Sequence, residues 1–275
     1  MKQIKFTKMC GSGNDFIIID NRKKEFSIKN LKSFVTKICS RRFSVGADGV
    51  IFIEKSSRAD FKWRFFNSDG SVAEMCGNGG RCAARYAFIK RIAGKSLSFE
   101  TMAGLIRAEV KGERVKIQLT EPNGLKLGIK LKISGKEKEL NFINTGVPHA
   151  VHFVKNLEDC PVEGLGREIR YHKKFSPAGA NVNFVEHSKG SFLRIRTYER
   201  GVEGETLACG TGAVASVLVA SALGKVSSSC SITPKSGEAL KVYFDKNEKG
   251  FHDVYLEGEA RLVFEGAIRE EAWKY

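Results

Sequence analysis

Short apolar runs broken by turn-forming residues dominate the hydrophobic pattern of the chain. Phe16-Ile17-Ile18-Ile19 and Val50-Ile51-Phe52-Ile53 are unbroken, Phe61-Lys62-Trp63-Arg64-Phe65 alternates, and residues 106–110 and 115–119 flank Lys111-Gly112-Glu113 as the arms of a hairpin would. Runs of this length and composition predict strands, mostly antiparallel. The second half repeats the idiom at residues 149–154, 192–198, 240–244, 254–257 and 260–264. Helical periodicity is scarcer: it predicts a helix over residues 28–39 after a Ser27 cap, and two more over 76–89 and 209–220.

Those last two segments are alike. Cys76-Gly77-Asn78-Gly79-Gly80 and Cys209-Gly210-Thr211-Gly212-Ala213 share one spacing of cysteine, glycines and a small residue, and each runs into a helix rich in alanine and aliphatics. Gly94, after Lys90 and Arg91, and Gly224, before Lys225, are expected to end them. One copy per half predicts two homologous β-rich lobes, each wrapped around a buried helix. The boundary is expected near Glu121-Pro122-Asn123-Gly124, with residues 1–120 in the first lobe and 121–263 in the second.

Composition narrows the class. A chain of 275 residues, 42% hydrophobic, can bury two cores of ordinary size. Met1-Lys2-Gln3-Ile4-Lys5-Phe6 has no signal-peptide run, and the longest apolar stretch, residues 213–223, is too short for a bilayer. The expectation is a soluble cytoplasmic protein without a membrane partner. The 46 basic against 31 acidic residues give a formal charge of +15, which by itself suggests an anionic partner. The basic residues are spread along the chain, densest at 37–42 and 126–138, with no nucleic-acid motif to organise them. A solvated basic surface is therefore expected, and no nucleic-acid partner. Seven scattered cysteines, an odd number with no pair at zinc-site or redox spacing, point to reduced thiols and no metal.

The duplicated cysteines are the candidate chemistry. A cysteine just ahead of a glycine-rich helix start faces backbone N–H groups without intrahelical partners, at the positive end of the helix dipole. Cysteines in such settings ionise anywhere from about pH 3.5 to 7.5 instead of about 8.5. Glycines let a ligand approach the backbone, whose N–H groups can hold a carboxylate. Removing an amino acid's α-proton builds charge onto that carboxylate, so converging donors stabilise the transition state more than the ground state. Inversion also needs a second group to return a proton, which makes two thiols, Cys76 and Cys209, a fitting acid and base without a cofactor. A redox dithiol or a phosphate-binding loop are the other readings; the missing C-x-x-C and P-loop lysine weigh against them.

Weaker signals surround this pair. Glu199-Arg200-Gly201 offers a bidentate cation for a carboxylate and an acceptor for an ammonium group, or else a surface ion pair. His149, after Pro148, suits either a cleft-facing or a structural role. Asn14 and Asn67 read as turn residues. The other five cysteines read as packing residues.

Taken together, Gly11-Ser12-Gly13-Asn14-Asp15-Phe16, Gly46-Ala47-Asp48-Gly49, Asn67-Ser68-Asp69-Gly70, Met75-Cys76-Gly77-Asn78-Gly79-Gly80-Arg81-Cys82, Gly146-Val147-Pro148-His149, Asn181-Val182-Asn183-Phe184, Tyr198-Glu199-Arg200-Gly201 and Ala208-Cys209-Gly210-Thr211-Gly212 resemble the diaminopimelate epimerases over nearly the whole chain. The resemblance implies cofactor-independent interconversion of LL- and meso-diaminopimelate on the route to lysine and peptidoglycan precursor, with Cys76 and Cys209 as acid and base. It implies substrate contacts from Asn14, Asn67, Gly77, Asn78, Asn181, Glu199, Arg200, Gly210 and Thr211, and stabilising roles for His149 and Glu199. It implies a mixed α/β (α+β) fold of two pseudo-symmetric lobes, each a curved, mostly antiparallel sheet around a central helix, with a last strand at about 264–275 returning to the first lobe. A small-molecule substrate is the expected partner, and a homodimer the expected assembly. Val147 stands where many members carry asparagine, and Gly49 where some carry glutamine.

Overall fold

The computed structural model describes residues 3–24, 30–187, 190 and 192–275. The chain divides into two units, residues 1–117 with 258–275, and residues 118–257.

In the first unit, strand Ile4–Gly11 lies between Arg261–Ile268 and Asn14–Asp20, antiparallel to both. Asn14–Asp20 pairs parallel with Gly49–Glu54, which pairs antiparallel with Phe61–Asn67. Phe61–Asn67 meets Ser96–Thr101 in parallel, and Gly104–Lys111 and Arg114–Gln118 complete the sheet as antiparallel neighbours.

The second unit repeats this order. Asn123–Ile133, Lys136–Asn144 and Pro148–Phe153 run antiparallel, Asn181–His187 is parallel to the last of these, and Phe192–Glu199 is antiparallel again. Cys230–Thr233 is parallel to Phe192–Glu199, followed by antiparallel Leu240–Asn247 and Gly250–Glu259. Parallel pairings thus fall at the same two places in each sheet, where crossovers demand a helix. The first crossover carries α1 (Leu31–Cys39) or α3 (Val162–Arg170), and the second carries α2 (Gly77–Ile89) or α4 (Gly210–Ala222). A short strand, Val72–Ala73 or Gly204–Thr206, precedes α2 and α4 respectively. The internal repeat read from two cysteine motifs therefore extends to whole units of mixed α/β structure.

Each sheet is covered on both faces, which is why its central strands read as unbroken apolar runs. Ile17, Ile19, Val50 and Phe52 pack with Phe34, Val35 and Ile38 of α1, while α2 packs on strands from both ends of the sheet, so the sheet curves around it. In the second unit Ala150, Val182, Phe184 and Tyr198 pack with Val162 and Ile169 of α3, and α4 is buried on all sides from Gly212 to Ala220.

Helix ends qualify the sequence reading in two places. The expected Ser27 cap and Ile28 lie outside the described residues; the described helix starts at Leu31, with the Asn30 side chain accepting from the Ser33 N–H. Gly224 ends α4 at a φ of +70°, but α2 is ended by Arg91, at +55°, and not by Gly94. The bonds Ile92 N–H to Ala87 carbonyl and Lys225 N–H to Ala220 carbonyl, 2.8 and 2.9 Å, are equivalent, so one closing geometry accepts an arginine in one unit and a glycine in the other. None of the described helices is long and apolar enough to cross a membrane.

Candidate active site

Cys76 and Cys209 occupy the same position in their units. Each is the N-cap of a thirteen-residue helix, extended in backbone, and its sulfur accepts from the N–H three residues on, Gly79 or Gly212, at 3.4 Å. The thiols thus sit where sequence reasoning placed them, on the unpaired donors of a helix start. No cysteine forms a disulfide. Burial pushes the Cys39 thiol up to about 12 and the Cys230 thiol up to about 11, and raises those of Cys82 and Cys160. Those four are held protonated as packing groups.

In the first unit, Asn14, Asn67, Cys76, Gly77 and Asn78 gather at one end of the sheet. The register sets Phe16 beside Gly49 and Gly49 beside Asn67, so Asn14 and Asn67 share an end. Asn78 brings the start of α2 there: its Nδ2 donates to Asn14 Oδ1 at 2.6 Å. Asn14 Nδ2 donates to Asp48 Oδ2 at 2.9 Å, and Asn78 Oδ1 accepts from Arg81 Nη2, also at 2.9 Å. Arg81 is wholly buried and donates as well to Ser12 Oγ at 2.7 Å. This chain from cation through two amides to carboxylate fixes which way each amide faces. Arg41 closes it from outside, reaching Asp48 and Asp15 at 2.7 Å; Lys8 also pairs with Asp15, whose carboxyl these bonds hold down at about 2 in spite of its burial. Asn67 does form a turn, donating to Ser71 Oγ at 3.0 Å. At Gly49 a Cβ would lie 2.5 Å from the Phe65 ring, so the absence of a side chain there is matched by its neighbour.

In the second unit, His149, Asn181, Glu199, Arg200, Cys209, Gly210 and Thr211 gather at the equivalent end. His149 lies beside Asn181, and Val182 beside Tyr198. The Thr145 hydroxyl donates to the Thr211 carbonyl at 3.1 Å, tying the start of α4 to the turn before His149. Asn181 Oδ1 accepts from the Arg200 N–H at 2.8 Å, and Arg200 itself donates to the Ala178 carbonyl at 3.1 Å. Glu199 pairs with no cation among its described bonds; burial pushes its carboxyl up, with the Thr206 hydroxyl pulling the other way. His149 is wholly buried, and desolvation, with Arg200 nearby, lowers it to about 3.

The registers align Phe16, Ile51 and Phe65 of the first unit with His149, Asn183 and Thr197 of the second. Around Gly79 a Cβ would meet Ile51, Trp63 and Phe16 at ordinary distances, whereas on Gly212 it would collide with Asn183 Oδ1. Sequence reasoning gave no part to Asp48, Arg81, Asn183 or Thr197. One signal was available for Asn183: it stands two residues from Asn181, hence on the same strand face, and its neighbours Val182, Phe184 and Val185 are apolar.

Comparison with known proteins agrees in one direction. The family model described as diaminopimelate epimerase matches residues 6–124 and 141–263. Diaminopimelate epimerases of Hydrogenobaculum sp. and Aquifex aeolicus are 51% and 47% identical to the chain, covering 96% and 99% of it and 98% and 100% of their own lengths. Among solved structures, a PhzF-family phenazine biosynthesis protein of Bacillus anthracis superposes with a TM-score of 0.77 at 19% identity, covering 98% of this chain and 100% of its own. A hydroxyproline epimerase of Agrobacterium vitis superposes at 0.71 with 15% identity, covering 98% and 93%. These two likenesses are of fold.

Proposed function

The chain belongs to the diaminopimelate epimerase family and is an isomerase that interconverts LL- and meso-diaminopimelate in lysine and peptidoglycan-precursor biosynthesis, and we propose that Cys76 and Cys209 make its two proton transfers. The observation that carries this is the equivalence of the two sulfurs, each an N-cap accepting from a glycine N–H at 3.4 Å. One thiolate removes the α-proton while the other residue, as thiol, delivers a proton to the opposite face; the roles exchange in the reverse direction. Charge that develops on the α-carboxylate is met by backbone N–H groups of the helix starts, Gly77 with Asn78 and Gly210 with Thr211. Asn14, Asn67 and Asn181 are assigned to the polar groups of the substrate, with Glu199 and Arg200 on its ammonium and carboxylate groups. His149 and Glu199 support the thiols. No pyridoxal phosphate and no metal enter this scheme.

The test is incubation with LL-diaminopimelate in deuterated water under reducing conditions. Conversion to the meso form with deuterium at the α-carbon is expected; absence of both would refute the reading. Cys76→Ala and Cys209→Ala should each lower kcat by about a thousandfold or more with the fold retained by circular dichroism. Undiminished turnover in either variant would remove that thiol from the mechanism. The same reading places the protein in the reducing cytoplasm and makes it a homodimer, supported by the exposed Val263 and Phe264 on strand Arg261–Ile268. Sedimentation should then give about twice the chain mass of 30.4 kDa.

A further inference from the structure

Asn183 is buried without exposure, and its partners define which way its amide faces. The Ala150 carbonyl, 3.2 Å away, can only accept, so the atom facing it is Nδ2. The same NH2 group turns its other hydrogen to His149 Nδ1 at 3.1 Å, while Oδ1 accepts from the Thr197 hydroxyl at 3.0 Å. A reversed amide would set oxygen against oxygen at Ala150. Facing a donor, His149 Nδ1 must offer its lone pair, and the single proton of a neutral ring then resides on Nε2. That state agrees with the burial that keeps the ring from charging. Nε2 is itself buried and meets no acceptor among the described residues.

We propose that Asn183 is a positioning residue that locks His149 in the Nε2–H tautomer, so that His149 serves the reaction as a hydrogen-bond donor to an anion and not as a base. The inference rests on the reading above that His149 belongs to the site, and gives it a definite sense. With Nδ1 occupied by the Asn183 amide and Nε2 already protonated, the ring has no lone pair with which to take a thiol proton. It can only stabilise negative charge once formed, on a substrate carboxylate or on a thiolate. The aligned residues of the first unit, Phe16, Ile51 and Phe65, have side chains that can neither donate nor accept, so the device has no counterpart at the equivalent positions.

Nitrogen-15 spectra of histidine-labelled full-length protein test the tautomer without any variant. The five histidines give five rings, and the signals lost in His149→Gln identify the one in question. A protonated Nε2 with a bare Nδ1 at pH 7 is expected; Nδ1–H or imidazolium would overturn the proposal. Asn183→Asp puts an oxygen opposite Nδ1 and should draw a proton there, lowering kcat by about tenfold to a hundredfold. A changed protonation state with kcat intact would show that the tautomer does not matter to the reaction, and would overturn the positioning role. The anion is then identified by the Nε2–H proton resonance. If it moves on adding meso-diaminopimelate, a carboxylate accepts; if it moves in Cys76→Ala or Cys209→Ala without substrate, a thiolate does. Response to neither overturns the donor role. Failure of the wild-type protein to epimerise diaminopimelate is a separate outcome, which counts against the functional reading and leaves the tautomer measurement standing.

Discussion

The first turn of α2 rests on Phe16, Ile51 and Trp63, whereas the first turn of α4 rests on Asn183, itself held by His149 and Thr197. The backbone above these floors is the same, with a cysteine cap, a glycine donor and thirteen helical residues in both. What duplication kept is the thiol and its hydrogen bond; what diverged is the polarity of the material underneath. In the first unit the polar groups instead lie along the helix start, in the chain Arg81, Asn78, Asn14 and Asp48. Two sites with equal sulfur geometry thus receive their fixed dipoles from different directions. That is a physical route by which a duplicated scaffold comes to carry two unlike surroundings for the same thiol.

Substitutions can break the comparison or sharpen it. Gly212→Ala should be the most damaging, because its methyl meets Asn183 Oδ1, in an amide that bonds from two neighbouring strands hold in place; a loss of about 2–3 kcal/mol in urea unfolding is expected. Gly79→Ala, over ordinary contacts at 3.4–3.5 Å, should stay within about 1 kcal/mol of the parent, and an equal loss at both sites would erase the distinction. The pH dependence of stability should differ in kind. Unfolded, His149 protonates near its ordinary value of 6.5, but folded it protonates only near 3, so the unfolded chain binds the extra proton between them. Its contribution is therefore full above pH 6.5 and lost as pH falls from 6.5 toward 3. His149→Gln should flatten unfolding free energy across that window, while no substitution at Phe16 can, since it carries no titratable group. A smaller effect is expected from Asp48→Asn, which lets the Asn14 amide turn over: KM should rise by about tenfold with kcat within about twofold. Arg41→Gln, which leaves the Asp48 acceptor in place, should change KM by less, and an equal rise would assign the effect to the loop in general.

Much of this arrangement was legible in the sequence where local chemistry is self-contained. The cysteine caps, the glycines after them and the apolar helices follow from neighbours within four residues, and the duplicated spacing exposed the repeat. The central strands Gly49–Glu54 and Phe61–Asn67 declared themselves by composition. Helix α3 did not, because Gly164 and Gly166 dilute its pattern; a Cβ at Gly166 would lie 2.5 Å from that of Tyr198, so a packing demand from a distant strand overrides helix propensity. Residues 126–138, read as a basic cluster, belong largely to the hairpin of Asn123–Ile133 and Lys136–Asn144, whose lysines alternate along the exposed side of an edge strand. The network residues were hidden for another reason. Asp48 lies 34 positions from Asn14, and Asn183 lies 34 from His149, so each reveals its partner only after strands have paired.

The strand that finishes the first sheet, Arg261–Ile268, follows every other described strand in the chain. During synthesis Ile4–Gly11 must await a neighbour about 250 residues further along, on the order of ten seconds or more at ordinary translation rates. Through that interval one edge of the early sheet stays open to mispairing, whereas the second unit is one continuous stretch, residues 118–257. Biogenesis should therefore run against the usual order, the later-made unit maturing first and the earlier one waiting on a strand made after both.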